Sequence, residues 1–284
     1  MLRSESRNTA RFWLSPAMPG LSLLQADFTA HDYAPHSHDA LVVAVTEMGG
    51  AEFTSRGCTE EARENVLLVF NPGEPHSGRM ARSRRWRYRS LYLDQAALAG
   101  IGRLVGVEAA PYFNANLYRD AGLIDAFLRL HAVLEGEGGG AGLEGQELLA
   151  ECFGLLLRRH GSRREHAIAG DPRDEKLFRR LVTVMHDRHA ERLVLQDLAD
   201  IAGLTPFQLI RLFRKMSGLT PHAYLTQIRL AVALDLLKAR RPIAEAALAA
   251  GFFDQSALNR HCRRALGITP RQYMVAQAAR NFCQ

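Results

Sequence analysis

Residues Leu193–Tyr224 read LVLQDLADIAGLTPFQLIRLFRKMSGLTPHAY, and residues Pro242–Tyr273 read PIAEAALAAGFFDQSALNRHCRRALGITPRQY. They are two copies of one pattern. Gly203 recurs as Gly251, 48 residues on; Gly218, Thr220, Pro221 and Tyr224 recur as Gly267, Thr269, Pro270 and Tyr273, 49 residues on. The one-residue slip falls at the turn, where loop length is free to change. Two copies are too few for a solenoid, so the pattern is a tandem pair of one supersecondary unit.

Each copy opens with apolar residues at helical spacing: Leu195, Leu198, Ala199 and Ala202, then Ile243, Ala246, Ala247 and Ala250. A glycine follows, suited to the left-handed backbone that ends a helix. Thr205, ahead of Pro206, and Asp254 are helix-start signals. Second apolar rows follow at Leu209, Leu212, Phe213 and Met216, and at Leu258, His261, Cys262 and Ala265. Short helix, glycine turn and longer helix make a helix-turn-helix.

The opposite faces carry the functional signal. The first holds Phe207, Ile210, Arg211 and Arg214, flanked by Gln208 and Lys215; the second holds Gln255, Ser256, Asn259, Arg260 and Arg263. Arginine can bridge guanine O6 and N7, asparagine or glutamine can pair with adenine, and an apolar side chain can rest on the thymine methyl. The plainer alternative is a solvated face on each of two ordinary helices. Phe207 and Ile210 argue against it, because they are apolar on the side away from their own core. Charge agrees: from Pro172 onward there are 18 Lys+Arg and 9 Asp+Glu, giving +9, while the rest has 18 and 21, giving −3. A basic half is the footprint of phosphate contacts whose strength falls with salt.

These paired units resemble the C-terminal DNA-binding domain of the AraC/XylS family of bacterial transcription regulators. GFFDQS, LNRH and GITPRQY carry the likeness, which covers roughly Leu177 to Met274. It implies recognition helices at about 206–217 and 255–266, with base contacts from Phe207, Ile210 and Arg211 and from Gln255, Ser256, Asn259 and Arg260. Cys262 stands where the family has an aromatic residue and Ala257 where it has a larger one, implying looser packing of the second recognition helix. A long helix over Tyr224–Arg240 would join the units and aim their reading helices at groove faces about 34 Å apart.

Upstream, short apolar runs separated by turn signals span Leu21–Phe28, Leu41–Glu47, Ala51–Ser55, Val66–Phe70 and Arg87–Leu93. This spacing predicts an antiparallel sandwich or barrel. The half resembles the cupin-type effector-binding barrel of AraC relatives, chiefly through PHSHD and NPGEPHSG. The resemblance implies a pocket to which His36, His38 and His76 contribute, with Glu74, Arg89 and Tyr92 as further candidates. Metal cupins add a glutamate four or five residues after the H-x-H pair; here positions 42 and 43 are valine. Three histidines can still hold zinc with an open fourth position, but no cofactor is expected, only a small polar effector. Asp120–Leu134 and Glu144–His160 have amphipathic helical spacing, and would cover the barrel or form a dimer seam.

The expected architecture is α+β with two domains: a polar arm over 1–20, flexible or docked, an antiparallel β-barrel with a helical pair over 21–160, a linker over 161–173, and an all-α tandem helix-turn-helix domain over 174–284. The four cysteines are scattered, so neither a disulfide framework nor a thiolate zinc site is suggested. No signal core precedes the first domain, and no apolar run reaches about 18 residues, so a cytoplasmic chain without membrane contact is expected. The function expected is ligand-responsive transcription regulation, with double-stranded promoter or operator DNA, a small-molecule effector, RNA polymerase and a second copy of the chain as partners. The alternatives are a metal-dependent cupin enzyme fused to a DNA-binding tail, which needs an intact ligand set, and an architectural DNA binder, which has little use for a histidine-lined pocket.

Overall fold

A computed structural model describes residues 8–80, 82–107, 112–136, 139–140, 142–162 and 172–280. Residues 1–7 of the expected arm, residues 163–171 of the expected linker, and Glu137, Gly138 and Ala141 of the glycine run lie outside the described residues. The chain divides into two compact units, one dominated by His38–Glu165 and the other by His166–Met274.

The N-terminal half supplies β1 (Thr9–Leu14), β2 (Leu21–Phe28), β3 (Asp32–His36), β4 (Leu41–Ser55), β5 (Cys58–Arg63), β6 (Leu67–Phe70), β7 (His76–Met80), β8 (Trp86–Leu93), α1 (Gln95–Val105), β9 (Leu117–Tyr118), α2 (Ala121–Glu135) and α3 (Leu143–His160). The sheet runs β1-β2-β8-β4-β6-β9, with β5 and β7 also on β4. The strands are antiparallel as expected, and among the described residues no pairing returns β9 to β1. The described part of the arm is docked: β1 pairs with β2 from Thr9 opposite Asp27 to Leu14 opposite Ser22.

Sequence patterning splits 41–47 from 51–55 at Met48-Gly49-Gly50, but β4 is one strand of 15 residues. Its first part pairs with β6 and β8, and Ala51–Ser55 pair with β5 and β7. The ladder shifts between Thr46 and Met48, a bulge that bends the strand. Gly49 sits there at φ 74°, where a Cβ would run into the Arg85 carbonyl. The glycines that look like a turn are a hinge within one strand.

Strand alternation gives the sheet two working faces. On one, Leu21, Leu23, Val43, Val45, Leu67, Val69, Leu91 and Leu93 pack with Leu123, Phe127, Leu130, Leu149, Phe153 and Leu156 of α2 and α3. Each such side chain stabilises by roughly 1.5–3 kcal/mol when fully buried. The amphipathic pair therefore covers the sheet. On the other face Val42, Phe53, Ala62 and Phe70 cluster with Tyr92 beside them.

The C-terminal half is helical: α4 (Pro172–Asp187), α5 (Leu195–Ala202), α6 (Pro206–Ser217), α7 (Pro221–Lys238), α8 (Ile243–Ala249), α9 (Gln255–Leu266) and α10 (Pro270–Arg280). Helix α6 and α9 have the bounds expected of the recognition helices. Helix α4 begins at Pro172, so the last two residues of the expected linker are helical. Helix α7 starts three residues before Tyr224, behind Thr220, whose hydroxyl accepts from Ala223 N at 3.3 Å.

Two cores share α7. Leu225 and Ile228 join Leu181, Met185, Leu198, Leu209, Leu212 and Phe213; Leu230 and Ala233 join Ala247, Ala250, Phe252, Ala257, Leu258, Cys262 and Ala265. At 18 residues α7 is about 27 Å long, a single rod on which both helix-turn-helix units are seated.

Candidate DNA-reading helices and effector site

Each reading helix is held by its buried row and shows the remaining side chains to solvent. On α6, Leu209, Leu212 and Phe213 are buried while Phe207, Gln208, Arg211, Arg214 and Lys215 are exposed and Ile210 is half-buried. On α9, Leu258, Cys262 and Ala265 are buried, Gln255, Ser256, Arg260 and Arg263 are exposed, and Asn259 is half-buried. Phe207 is 68% exposed. An aromatic ring held in water on a basic helix is the kind of group a groove would cover.

Two flanking residues are engaged elsewhere. Gln208 turns back on its own helix start, where Oε1 accepts from Thr205 N at 2.9 Å and from Thr205 Oγ1 at 3.1 Å, while Thr205 Oγ1 accepts from Gln208 N at 3.3 Å. This is a reciprocal capping box, and the T-x-x-Q spacing signals it. Lys215 Nζ pairs with Asp174 Oδ2 of α4 at 2.9 Å. Both are exposed, so both serve the fold without being hidden.

In the N-terminal half, one ring nitrogen from each of His36, His38 and His76 lies within 4.8 Å of the others. His36 Nδ1 lies 2.7 Å from Ala34 O and His76 Nδ1 2.9 Å from Glu74 O. A carbonyl oxygen only accepts, so each Nδ1 carries a proton, and in a neutral ring Nε2 is then the unprotonated nitrogen. Burial holds His76 down at about 4 against the opposing pull of Glu74. Burial, then the neighbouring His76, lowers His38 well below the usual histidine range. Both rings are thus neutral at pH 7. His76 stacks on Phe70 at 3.8 Å, and His38 meets the edge of Tyr92 at 5.2 Å. Burial pushes the Tyr92 hydroxyl up to about 12, so it stays protonated.

Arg89 and Glu74 fall outside this group. Three residues apart on β8, Arg89 and Tyr92 lie on opposite faces. Arg89 points to the helix side, 2.9 Å from Glu47, 2.7 Å from Glu135 and 3.1 Å from His131 Nδ1. The Glu74 carboxylate accepts six hydrogen bonds, from Ser55, Arg56 twice, Asn71 twice and Asn116. Burial would raise its pKa, but the bonds from Arg56, Asn116, Asn71 and Ser55 hold it at about 2. A carboxylate so saturated braces the turn that presents His76. Phe70, not anticipated as a site residue, is the platform for His76; a buried apolar strand gives no sign that one member faces a histidine.

Three imidazoles, two of them anchored through Nδ1 on backbone carbonyls, are a donor set suited to a divalent metal. They are equally suited to accept hydrogen bonds from a polar organic molecule. Among the described residues no helix is long and apolar enough to cross a membrane.

Known proteins place this arrangement. Residues 18–153 match the AraC-like ligand binding domain, and residues 198–275 match a helix-turn-helix domain. The HTH-type transcriptional regulator YbfI of Bacillus subtilis (strain 168) is 28% identical over 223 residues, 78% of this chain and 79% of YbfI. The HTH-type transcriptional activator RhaS of Escherichia fergusonii is 26% identical over 179 residues, 62% of this chain and 63% of RhaS. An apo variant of ToxT from Vibrio cholerae matches 91% of this chain and 98% of its own at a TM-score of 0.54 and 10% identity, a likeness of fold alone. With an AraC-like ligand-binding domain ahead of two helix-turn-helix units, the chain belongs to the AraC family of DNA-binding transcription regulators.

Proposed function

We propose that the two reading helices address one asymmetric operator together. Phe207, Ile210, Arg211 and Arg214 would read the first segment, and Gln255, Ser256, Asn259, Arg260 and Arg263 the second. The observation that carries this is the sharing of α7 by both cores, which couples two exposed basic faces through one rod. Gln208 and Lys215 are left to phosphates, since both are already committed to the helix start and to Asp174. Arg211→Ala and Arg260→Ala should each cost about 1–3 kcal/mol of specific binding, read by fluorescence anisotropy on a selected operator. Equal losses on random DNA would reduce both to phosphate contacts.

The effector proposed is a small polar molecule contacted by His36, His38, His76 and Tyr92. Its binding shifts the regulator between states only to the extent that it favours one of them. A second copy of the chain would let two operators be engaged together. RhaS is named an activator, and activation through RNA polymerase in the cytoplasm is the mode proposed for this chain. No catalytic role is assigned, since the relatives are transcription regulators. A divalent metal on the three histidines is the second reading, favoured by their convergence within 4.8 Å. A thermal-shift screen with metabolites and with zinc, on the wild type, His36→Ala and His76→Ala, separates these. An organic effector stabilises the wild type without added metal and loses its effect in the variants. Stabilisation by zinc alone, with zinc bound in the purified chain, supports the metal.

A further inference from the structure

We infer that Phe253 is a base-contacting residue of the second unit, its ring resting on a thymine methyl at the edge of the segment read by α9. The inference rests on DNA binding by the family and adds a residue that the recognition face as read from sequence lacks.

Phe253 is 91% exposed, more than any other large apolar side chain among the described residues. Its neighbour Phe252 is buried in the core of the second unit and meets His261 at 5.3 Å. The doublet thus divides its labour: one ring anchors the turn and the other is displayed. The display is rigid. Phe252 N donates to Ala247 O at 2.9 Å, and Asp254 Oδ1 accepts from Ala257 N at 2.6 Å. Gly251 supplies the positive φ, 86°, that turns the chain. Phe253 is therefore pinned between two fixed residues.

Its position then limits what could cover it. The next two residues, Gln255 and Ser256, are exposed on the first turn of α9, and recognition helices bring their N-terminal residues to base edges. A phenyl ring offers nothing to a phosphate. Of the base edges in the major groove, only thymine presents a methyl group. The first unit displays a ring at the same end of its reading helix, Phe207, the second residue of α6. Both leading ends thus carry one exposed phenyl ring, on different turns of the backbone because the second unit has one extra residue in its turn.

The test uses the full chain and an operator selected from random DNA, with each thymine replaced in turn by uracil, which removes only the methyl group. One thymine at the α9 end should show about fourfold weaker binding on replacement, the effect of burying one methyl less. Phe253→Ala should weaken specific binding about tenfold, leave random-sequence binding unchanged, and become indifferent to uracil at that position. Phe253→Leu should keep most of the affinity. An exposed ring contributes little to folding, so an unchanged melting temperature is expected in both variants. Phe253→Ala binding the operator as the wild type does would overturn the inference, and so would a uracil effect that persists in the variant. A chain that selects no sequence would sink the DNA-reading assignment itself, a distinct failure.

Discussion

The two helix-turn-helix units are copies in plan and opposites in how they are filled. The first core is built from large side chains: Leu181, Met185, Leu209, Leu212 and Phe213, with Phe178 and Tyr224 edge-on to Phe213 at 5.0 and 5.7 Å. The second is built from small ones: Ala233, Ala247, Ala250, Ala257, Cys262 and Ala265. Cys262 occupies the place of Phe213, 49 residues on. The second core still holds an aromatic ring, Phe252, at the residue after the turn glycine, where the first unit packs Leu204 against its core. Core volume and patterning decide whether a unit folds; which position supplies the volume is negotiable. Cys262 and Ala257, from which a looser second helix is expected, are both buried in a core that also holds Leu258 and Phe252.

Removing the ring that only one unit has at this position gives the largest expected effect. Phe213 is fully buried, so Phe213→Ala should destabilise the first unit by about 3–5 kcal/mol, read by hydrogen exchange along α4, α5 and α6. Cys262→Ala should cost only about 1 kcal/mol. Cys262→Phe, which restores the repeat's symmetry, should not stabilise; it should cost roughly 1–3 kcal/mol through overpacking, because Cys262 is already fully buried in a core that includes Leu258 and Phe252. A stabilising Cys262→Phe would show instead that the second core has a void, and the argument from volume would fail.

The turn glycines sharpen the contrast one step down. Gly203 has φ 65° and a Cβ there would meet nothing within 4 Å. Gly251 has φ 86°, and a Cβ would lie 2.6 Å from His189 O and 2.8 Å from Ala190 Cα. Gly203→Ala pays only for the left-handed backbone, about 1–2 kcal/mol. Gly251→Ala pays that and must also displace the end of the segment after α4, whose carbonyl at His189 accepts from Arg229 Nε at 2.7 Å; roughly 2–4 kcal/mol is expected. Equal melting temperatures for the two variants would show that the His189 segment yields freely.

The bounds of the reading helices come from the family resemblance, and two local signals agree with it: the apolar rows and the helix-start residues Thr205 and Asp254. The N-terminal half was legible as antiparallel sheet but not in its strand order. Met48-Gly49-Gly50 looks the same whether it turns a hairpin or hinges β4, and only the partners of Ala51–Ser55 decide. The histidines His36, His38 and His76 were identifiable by spacing, whereas Arg89 and Tyr92 both stand as pocket candidates although the period of two along Arg87–Leu93 sets them on opposite faces. Glu74 looked like a pocket residue because a carboxylate in a turn gives no hint of six donors around it. Phe253 was hidden by its neighbour: of two adjacent phenylalanines, the sequence does not say which is the anchor.

The smallest expected difference lies at the helix starts, and it follows from the same asymmetry. In the first unit the N3 residue of α6 is Gln208, exposed, so it can reach back and complete the box with Thr205. In the second, N3 of α9 is Ala257, buried in the second core, with no polar group to reach back to the helix start. Asp254 must cap alone, through one bond of 2.6 Å to Ala257 N, helped by the attraction between a carboxylate and the helix N-terminus. Gln208→Ala should therefore cost only a few tenths of a kcal/mol, since Thr205 remains; Thr205→Ala should cost about 1 kcal/mol, and Asp254→Ala between about 1 and 2 kcal/mol. The ordering, read from melting temperatures of the three variants, matters more than the values: if Gln208→Ala proves as costly as Asp254→Ala, the glutamine and not the threonine is holding the start of α6, and Gln208 is held too firmly to contribute to DNA binding.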